Sequence, residues 1–494
     1  MPIRQPCFPL RAVALAAAAS TALATAAWAK DLPPTPEGAQ KINAFFAAYL
    51  GKAAAPPAIV VTSEASDYAV SFDLAQLTAP LQALGVTYEP ATIRYKLIEQ
   101  DDGAWRVTLA DFPPIVVHHN DRTTAIALTG YRGEYVVDPA IAWFRSGSAG
   151  ADKLSVKMSG PHREGSVEAG ALQANFTGAA QAGADGAVSS TLQESVAGVA
   201  ASFSFVKADA QADPAAKPVS IAVRLDKAAV DASLEGLRSR AALELWAFLA
   251  AHPNRADRAA DEAKLKALLT AALDGRLALN ETISAEKTTA ELPQGAVAFD
   301  SAKVGFGGAT GAAGGFEEHF AVSGLTLPPG LVPALYRGFV PSALDVGFKA
   351  SGFDVAAASA EAVADLHLAG DAPPISSEDS AKIWAKLIGP AGATIDIPPS
   401  HIVAPLLDLS FQGQVRYQAS KPVGAVTIRL RNFDQTQAGL KGLGPEAEKK
   451  LTPFLAMAKG LGKAEADGGL TWAIELAADG MMKVNGLPLG KAPI

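Results

Sequence analysis

Residues 425–434 read Ala-Val-Thr-Ile-Arg-Leu-Arg-Asn-Phe-Asp: an alternating, β-branched run that ends in Phe433-Asp434 and passes directly into a helical pattern. Two other stretches follow the same order. Tyr68 to Phe72 leads through Asp73 into Leu74 to Leu84, and Asp345 to Lys349 leads into Phe353-Asp354 and an alanine-rich run. Aspartate accepts hydrogen bonds from the free N–H groups of a first helical turn, so each Asp reads as a cap and each Phe as the core residue before it. A three-carboxylate functional site would need assumptions that a cap does not. The recurrence predicts an α+β fold: long, twisted antiparallel sheets with helices packed on one side, in quasi-repeated strand–Phe-Asp–helix units.

The flanking sequence extends this pattern. Residues 35–50 predict a helix, with Pro36 in its first turn and Ile42, Phe45, Phe46 and Tyr49 as its apolar stripe. Residues 91–98 and 104–110 predict a hairpin across Asp101-Asp102-Gly103. Leu234 to Leu249 and Leu265 to Leu273 predict two helices, the first apolar enough, with Trp246 and Phe248, to be buried. Strands are expected at 281–291, 296–306 and 316–323, with a turn at Pro293-Gln294-Gly295. A last hairpin turns at Asp479-Gly480, and Asn485-Gly486 adds another turn. Lys207 to Lys217, rich in Ala, Asp and Pro, reads as a linker. The expected halves are therefore 30–215, β-rich, and 216–494.

The first residues predict a destination. Arg4 and Arg11 precede an apolar run from Ala12 to Ala27, and Ala27-Trp28-Ala29 places small residues on both sides of Trp28. That is the pattern of a cleavable signal peptide over 1–29, so a soluble, periplasmic mature chain is expected, with no membrane span. Cys7, the single cysteine, falls before the apolar run, so no disulfide or thiolate ligand is expected after cleavage. The formal charge of −8 becomes more negative without the two arginines. An acidic chain repels phosphate backbones, which argues against nucleic acid as a partner.

The histidines and acids are the candidates for chemistry. His118 and His119 are adjacent in an extended run and point to opposite faces. His319 follows Glu317-Glu318, and His367 stands two residues after Asp365, as if on one strand face. His162, His252 and His401 have no partner at helical or strand spacing. No H-E-x-x-H or G-x-S-x-G is present, and Ser146-Gly147-Ser148 reads as a polar loop. The glycines 305, 307, 308, 311, 314 and 315 give no G-x-G-x-x-G and read as turns. No catalytic residue, metal site or cofactor is therefore assigned.

Four stretches carry a resemblance: Asp138-Pro139 to Ser148, Leu237-Arg238-Ser239-Arg240 to Phe248, Ser323-Gly324-Leu325 to Leu331, and Val484-Asn485-Gly486 to Gly490. In these the chain resembles a group of exported proteins of alpha-class Gram-negative bacteria, defined as a domain of unknown function. Its architecture is loosely similar to AsmA-like envelope proteins associated with lipid handling. The resemblance implies no catalytic residues. Export, β repeats, abundant apolar residues and missing catalytic motifs lead to the expectation of a non-enzymatic envelope protein that holds or guides an apolar ligand such as lipid. The alternatives are a cryptic periplasmic hydrolase, built from His118, His119, His319, His367 and nearby acids, and a scaffold that binds other envelope proteins.

Overall fold

The computed structural model describes residues 29–50, 58–180, 186–206, 218–389, 392–418 and 421–491. The expected leader (all but its last residue) and the expected linker Lys207 to Lys217, with the boundary near 215, lie outside the described residues. The chain divides into two compact units. One comprises Met1–Asp274 with Leu366–Pro374, the other Gly275–Asp365 with Ile375–Ile494. Strands dominate, the strand pairings are antiparallel and helices are inserted between them, so the fold is a β-rich α+β fold.

The first unit contains β1 (Ile59–Ser63), β2 (Tyr68–Asp73), β3 (Val86–Tyr88), β4 (Thr92–Glu99), β5 (Trp105–Leu109), β6 (Ile115–His119), β7 (Arg122–Thr129), β8 (Arg132–Asp138), β9 (Trp143–Ala151), β10 (Lys153–Gly160), β11 (Arg163–Ala169), β12 (Leu172–Ala180), β13 (Val188–Phe205) and β14 (Val219–Leu237). One layer has the order β1-β2-β4-β5-β8-β9. The other runs β3-β6-β7-β10-β11-β13-β14, with β12 also paired to β13. Ile93 and Leu109 from the first layer and Leu154, Val156 and Leu172 from the second are buried in one cluster. Ser146, Gly147 and Ser148 belong to β9 and not to a loop, because they pair in register with Val136, Tyr135 and Glu134.

Helix α1 (Pro36–Leu50) closes one end of this unit. Thr35 Oγ1 accepts from the Gly38 amide at 3.0 Å. Ala39, Ile42, Phe45 and Phe46 then pack on Ile59, Tyr68, Leu97 and Trp105, and Ile42 is fully buried. Burying such a side chain contributes roughly 1.5–3 kcal/mol. Asn43 fixes the helix to β1 by donating to the Val61 carbonyl and accepting from its amide, both at 3.1 Å. Gly38 permits the approach, since a Cβ there would collide with the Tyr68 hydroxyl. At the turn after β4, the Ala104 amide donates to Asp102. That bond, with Arg145 beside it, holds the Asp102 carboxyl below its usual range.

The expected helix from Leu234 starts later. Strand β14 continues to Leu237, pairing Leu234 with Ser190 and Leu237 with Val188, and α3 begins only at Ser239 (Ser239–Ala251). A long cross-strand ladder overrides the helical spacing of those leucines. Phe248 is buried, but Trp246 is 54% exposed, so α3 is not the buried helix expected. Before α3 come the short α2 (Leu74–Leu77), and after it α4 (Arg255–Ala260) and α5 (Glu262–Leu273).

The second unit is a meander: β15 (Ala278–Leu292), β16 (Gly295–Ala309), β17 (Gly314–Ser323), β18 (Ala343–Phe353), β19 (Ala393–Ala404), β20 (Leu407–Gln418), β21 (Lys421–Leu430), β22 (Lys463–Ala464), β23 (Leu470–Leu476), β24 (Met481–Val484) and β25 (Leu487–Lys491). Each strand from β15 to β21 pairs with the next. Strand β21 then pairs β23, which pairs β24, and β24 pairs β25. Helices α6 (Val355–Ala364) and α7 (Ser377–Ile388) lie between β18 and β19, and α8 (Phe433–Lys441) and α9 (Pro445–Leu461) between β21 and β22. The glycines read as turns are mostly in strands. Gly305, Gly307 and Gly308 are inside β16 and Gly314 and Gly315 open β17, leaving Gly311 in the turn with φ 98°.

Two of the three aspartates are caps. Asp73 accepts from the Gln76 amide at 3.1 Å and Asp354 from the Ala357 amide at 2.9 Å. Asp434 is not one. Helix α8 starts at Phe433 after Asn432, so Asp434 is already in its first turn and its carboxylate takes the Lys459 ammonium at 2.7 Å.

Candidate functional site

The histidines named from the sequence have separate surroundings. In the first unit, His118 Nε2 lies 3.1 Å from Glu89 Oε1 and its Nδ1 3.0 Å from Thr123 Oγ1, while its neighbour His119 is exposed. His367 lies in no strand, so the expected face shared with Asp365 does not form. Its Nδ1 is 3.8 Å from Glu262 Oε1. His252, set aside in sequence, stacks on Phe248 at 4.1 Å and meets Asp261 at 2.9 Å. Among the described residues no group of three or more His, Cys, Asp or Glu is placed to hold a metal ion.

The second unit brings two histidine–carboxylate pairs onto one polar sheet face. Strand alternation and register set Lys303, Ala321, Asp345 and His401 side by side across β16 to β19. His319 Nε2 is 2.6 Å from Asp345 Oδ1, and His401 Nε2 is 2.8 Å from Asp408 Oδ1. A shallow depression of about 230 Å³ opens here, lined by Ser301, Lys303, Ser323, Asp345 and His401 among others. Ser301 and Ser323, which line it, bond each other at 2.7 Å. His319, His401 and Asp345 are each at least 41% exposed, which makes these solvated pairs worth little individually. The sequence hid His401 because its acid stands seven residues on, across the β19–β20 hairpin.

The opposite face of the same sheet carries two apolar rows, half open to solvent over β15 to β17, with two glutamates between them. One register row is Leu279, Gly308, Phe316 and Ala350, and another is Ile283, Val304, Phe320 and Val346. Between them runs Glu281, Phe306, Glu318 and Phe348. Leu279, Ile283, Phe306, Phe316 and Phe320 are each 39–48% exposed. Among the described residues of this unit, the apolar side chains larger than alanine that reach full burial are Val322, Leu430, Phe433 and Val484. Half-exposed aromatic rings clustered on one sheet face mark a binding surface more often than an ordinary exterior.

The first unit has polar groups set into its apolar interior. Tyr131 and Tyr135 join hydroxyls at 2.7 Å. Burial pushes the Tyr95 phenol up to about 12 and raises Tyr131 and Tyr135 as well. Phe144 lies between Tyr135 and Phe176, at 5.8 and 5.3 Å. Glu194 is 8% exposed, its Oε2 has no partner among the described residues, and burial pushes its carboxyl up to about 7. Its spacing in Leu192-x-Glu194-x-Val196 was the available signal, since period 2 puts the acid among apolar residues.

Among the described residues no helix is long and apolar enough to cross a membrane. No protein-family model, curated protein or solved structure matches the chain.

Proposed function

We propose that this chain is a non-enzymatic, exported protein of the cell envelope that holds an apolar ligand, most simply lipid, against its sheets. The observation that carries this reading is the half-open face of β15 to β18, with Phe306, Phe316 and Phe320 half in water. A ligand covering those rings and Leu279 and Ile283 would recover on the order of 1 kcal/mol at each. The leader pattern of residues 1–29 and the resemblance in four stretches to exported proteins supply the compartment in this proposal. The recurrence of strand, capping aspartate and helix in both units is part of it, as the device that lets sheets lengthen while helices back them.

The test is extraction of the purified full chain with organic solvent and mass spectrometry of the extract, followed by titration of the stripped protein with an apolar fluorophore such as N-phenyl-1-naphthylamine. Copurified lipid and saturable fluorophore binding, weakened tenfold or more by Phe316→Ser with Phe320→Ser, are expected. An empty extract with no saturable binding would sink the proposal. Hydrolysis of ester substrates that His401→Ala abolishes would instead establish the hydrolase.

A further inference from the structure

Glu194 is the feature of the first unit that its own fold does not account for. Its neighbours in register are Ala174 on β12 and Val230 on β14, and along β13 it stands between Leu192 and Val196. All four are apolar. Ala174 is 1% exposed and belongs to the main buried cluster, against which Val196 and Val199 also pack. The inward row does not end there. Ala197 and Gly198 are both exposed, with Gly198 at φ 60°, so the alternation changes phase and Val199, Ala201, Phe203 and Phe205 continue the same face. Along that row exposure rises from nothing at Val188 to 37% at Phe205. At about 3.3 Å per residue, the path from Glu194 to Phe205 is roughly 35 Å. One lipid chain spans about half of a ~30 Å hydrocarbon core, so the row is long enough to lie along it.

A buried carboxylate without a partner is costly, and the cost is removed by a group that both donates a hydrogen bond and brings positive charge. A hydroxyl satisfies one lone pair and leaves the charge. A second carboxylate adds repulsion. We infer that Glu194 is a polar anchor at the buried end of the inward apolar row of β13, and that it binds the ammonium end of a long-chain amphiphile whose hydrocarbon follows that row outward along Val199, Ala201 and Phe203. This rests on the proposed lipid-holding function and specifies which class of lipid the first unit selects.

The experiment uses the full chain, stripped of ligand, and three sixteen-carbon probes: hexadecylamine, hexadecanol and palmitate. Each is titrated as a competitor of an apolar fluorophore on the chain carrying Phe316→Ser with Phe320→Ser, so that the readout comes from the first unit and not from the face of β15 to β18. The amine is expected to compete at least tenfold better than palmitate, with the alcohol between them, and Glu194→Gln is expected to erase the order. Carbodiimide coupling of hexadecylamine to the wild-type chain, mapped by peptide mass spectrometry, covers the case in which the variant does not fold. An amide adduct on the peptide containing Glu194 supports the anchor, and adducts confined to surface carboxylates overturn it. Equal competition by all three probes, or an amine preference that survives Glu194→Gln, refutes the anchor but leaves lipid binding standing. Failure of every probe and of the fluorophore on that chain also refutes the anchor, and their failure on the wild-type chain refutes the function on which it rests.

Discussion

Glu194 ties the stability of the ligand-free protein to pH in a direction that follows from its burial. Its carboxyl, pushed up to about 7 in the folded chain, has the ordinary value near 4.3 when unfolded. Below about pH 4 both forms are protonated and the residue contributes nothing. As pH rises toward 7 the unfolded form ionises first, so stability falls, and above 7 the loss is constant. Glu194→Gln should therefore raise stability by roughly 2 kcal/mol at pH 8 and leave it unchanged at pH 4, as urea unfolding at the two pH values would show. The aspartates separate by role on the same assay. Asp354→Ala should lose about 0.5–2 kcal/mol because it strips the Ala357 amide of its acceptor. Asp434→Ala should lose less than about 0.5 kcal/mol, its ion pair with Lys459 being exposed. Phe433, 4% exposed and 6.1 Å from the Trp472 ring, should cost about 3–5 kcal/mol when cut to alanine. Phe353 is only half-buried against Phe316 and should cost visibly less.

At the scale of elements, the seating of α1 on β1 and β2 makes a sharp test. Gly38→Ala forces the helix off the Tyr68 hydroxyl and should destabilise the first unit, with a red-shifted Trp105 emission as the helix lifts from the indole. An unchanged spectrum would mean that α1 does not depend on that approach. What the sequence made legible was punctuation. Asp101-Asp102-Gly103, Pro293-Gln294-Gly295 and Asp479-Gly480 all turn where their composition says, because positive φ and local carboxylate acceptors are written in single residues. Strand length was not legible. Strands β13 and β14 draw on Ala, Ser and Gly, whose alternation is too weak to show, and their stability comes from a partner far along the chain. The candidate site divided the same way. His319 was visible beside its acids, yet its partner is Asp345 on the next strand and not Glu317 or Glu318, and the His401–Asp408 pair needs register that no local spacing encodes.

Taken whole, the described residues of the second unit show little full burial across their strands, so its stability should depend on what covers the apolar rows of β15 to β18. Loading the stripped chain with lipid at a hundred times its dissociation constant should add about 2.7 kcal/mol, read as a rise in thermal midpoint that grows with lipid concentration. Phe316→Ser should lower the stripped protein's midpoint modestly, because the ring packs on Phe348 and Phe353, and should abolish that rise. The meander also has a kinetic meaning. From β15 to β21 every strand finds its mate in the next segment of chain, so the sheet can lengthen one hairpin at a time as residues become available. Each stage of that growth ends in a raw edge of unpaired N–H and C=O groups, ready to template onto another molecule. Growth is interrupted twice, where α6–α7 and α8–α9 must be made before the next strand arrives, and β18 and β21 wait there with one edge unpaired. Self-association during refolding should therefore begin at these two pauses, on the edges of β18 and β21, and a chaperone that shields strand edges would matter most there.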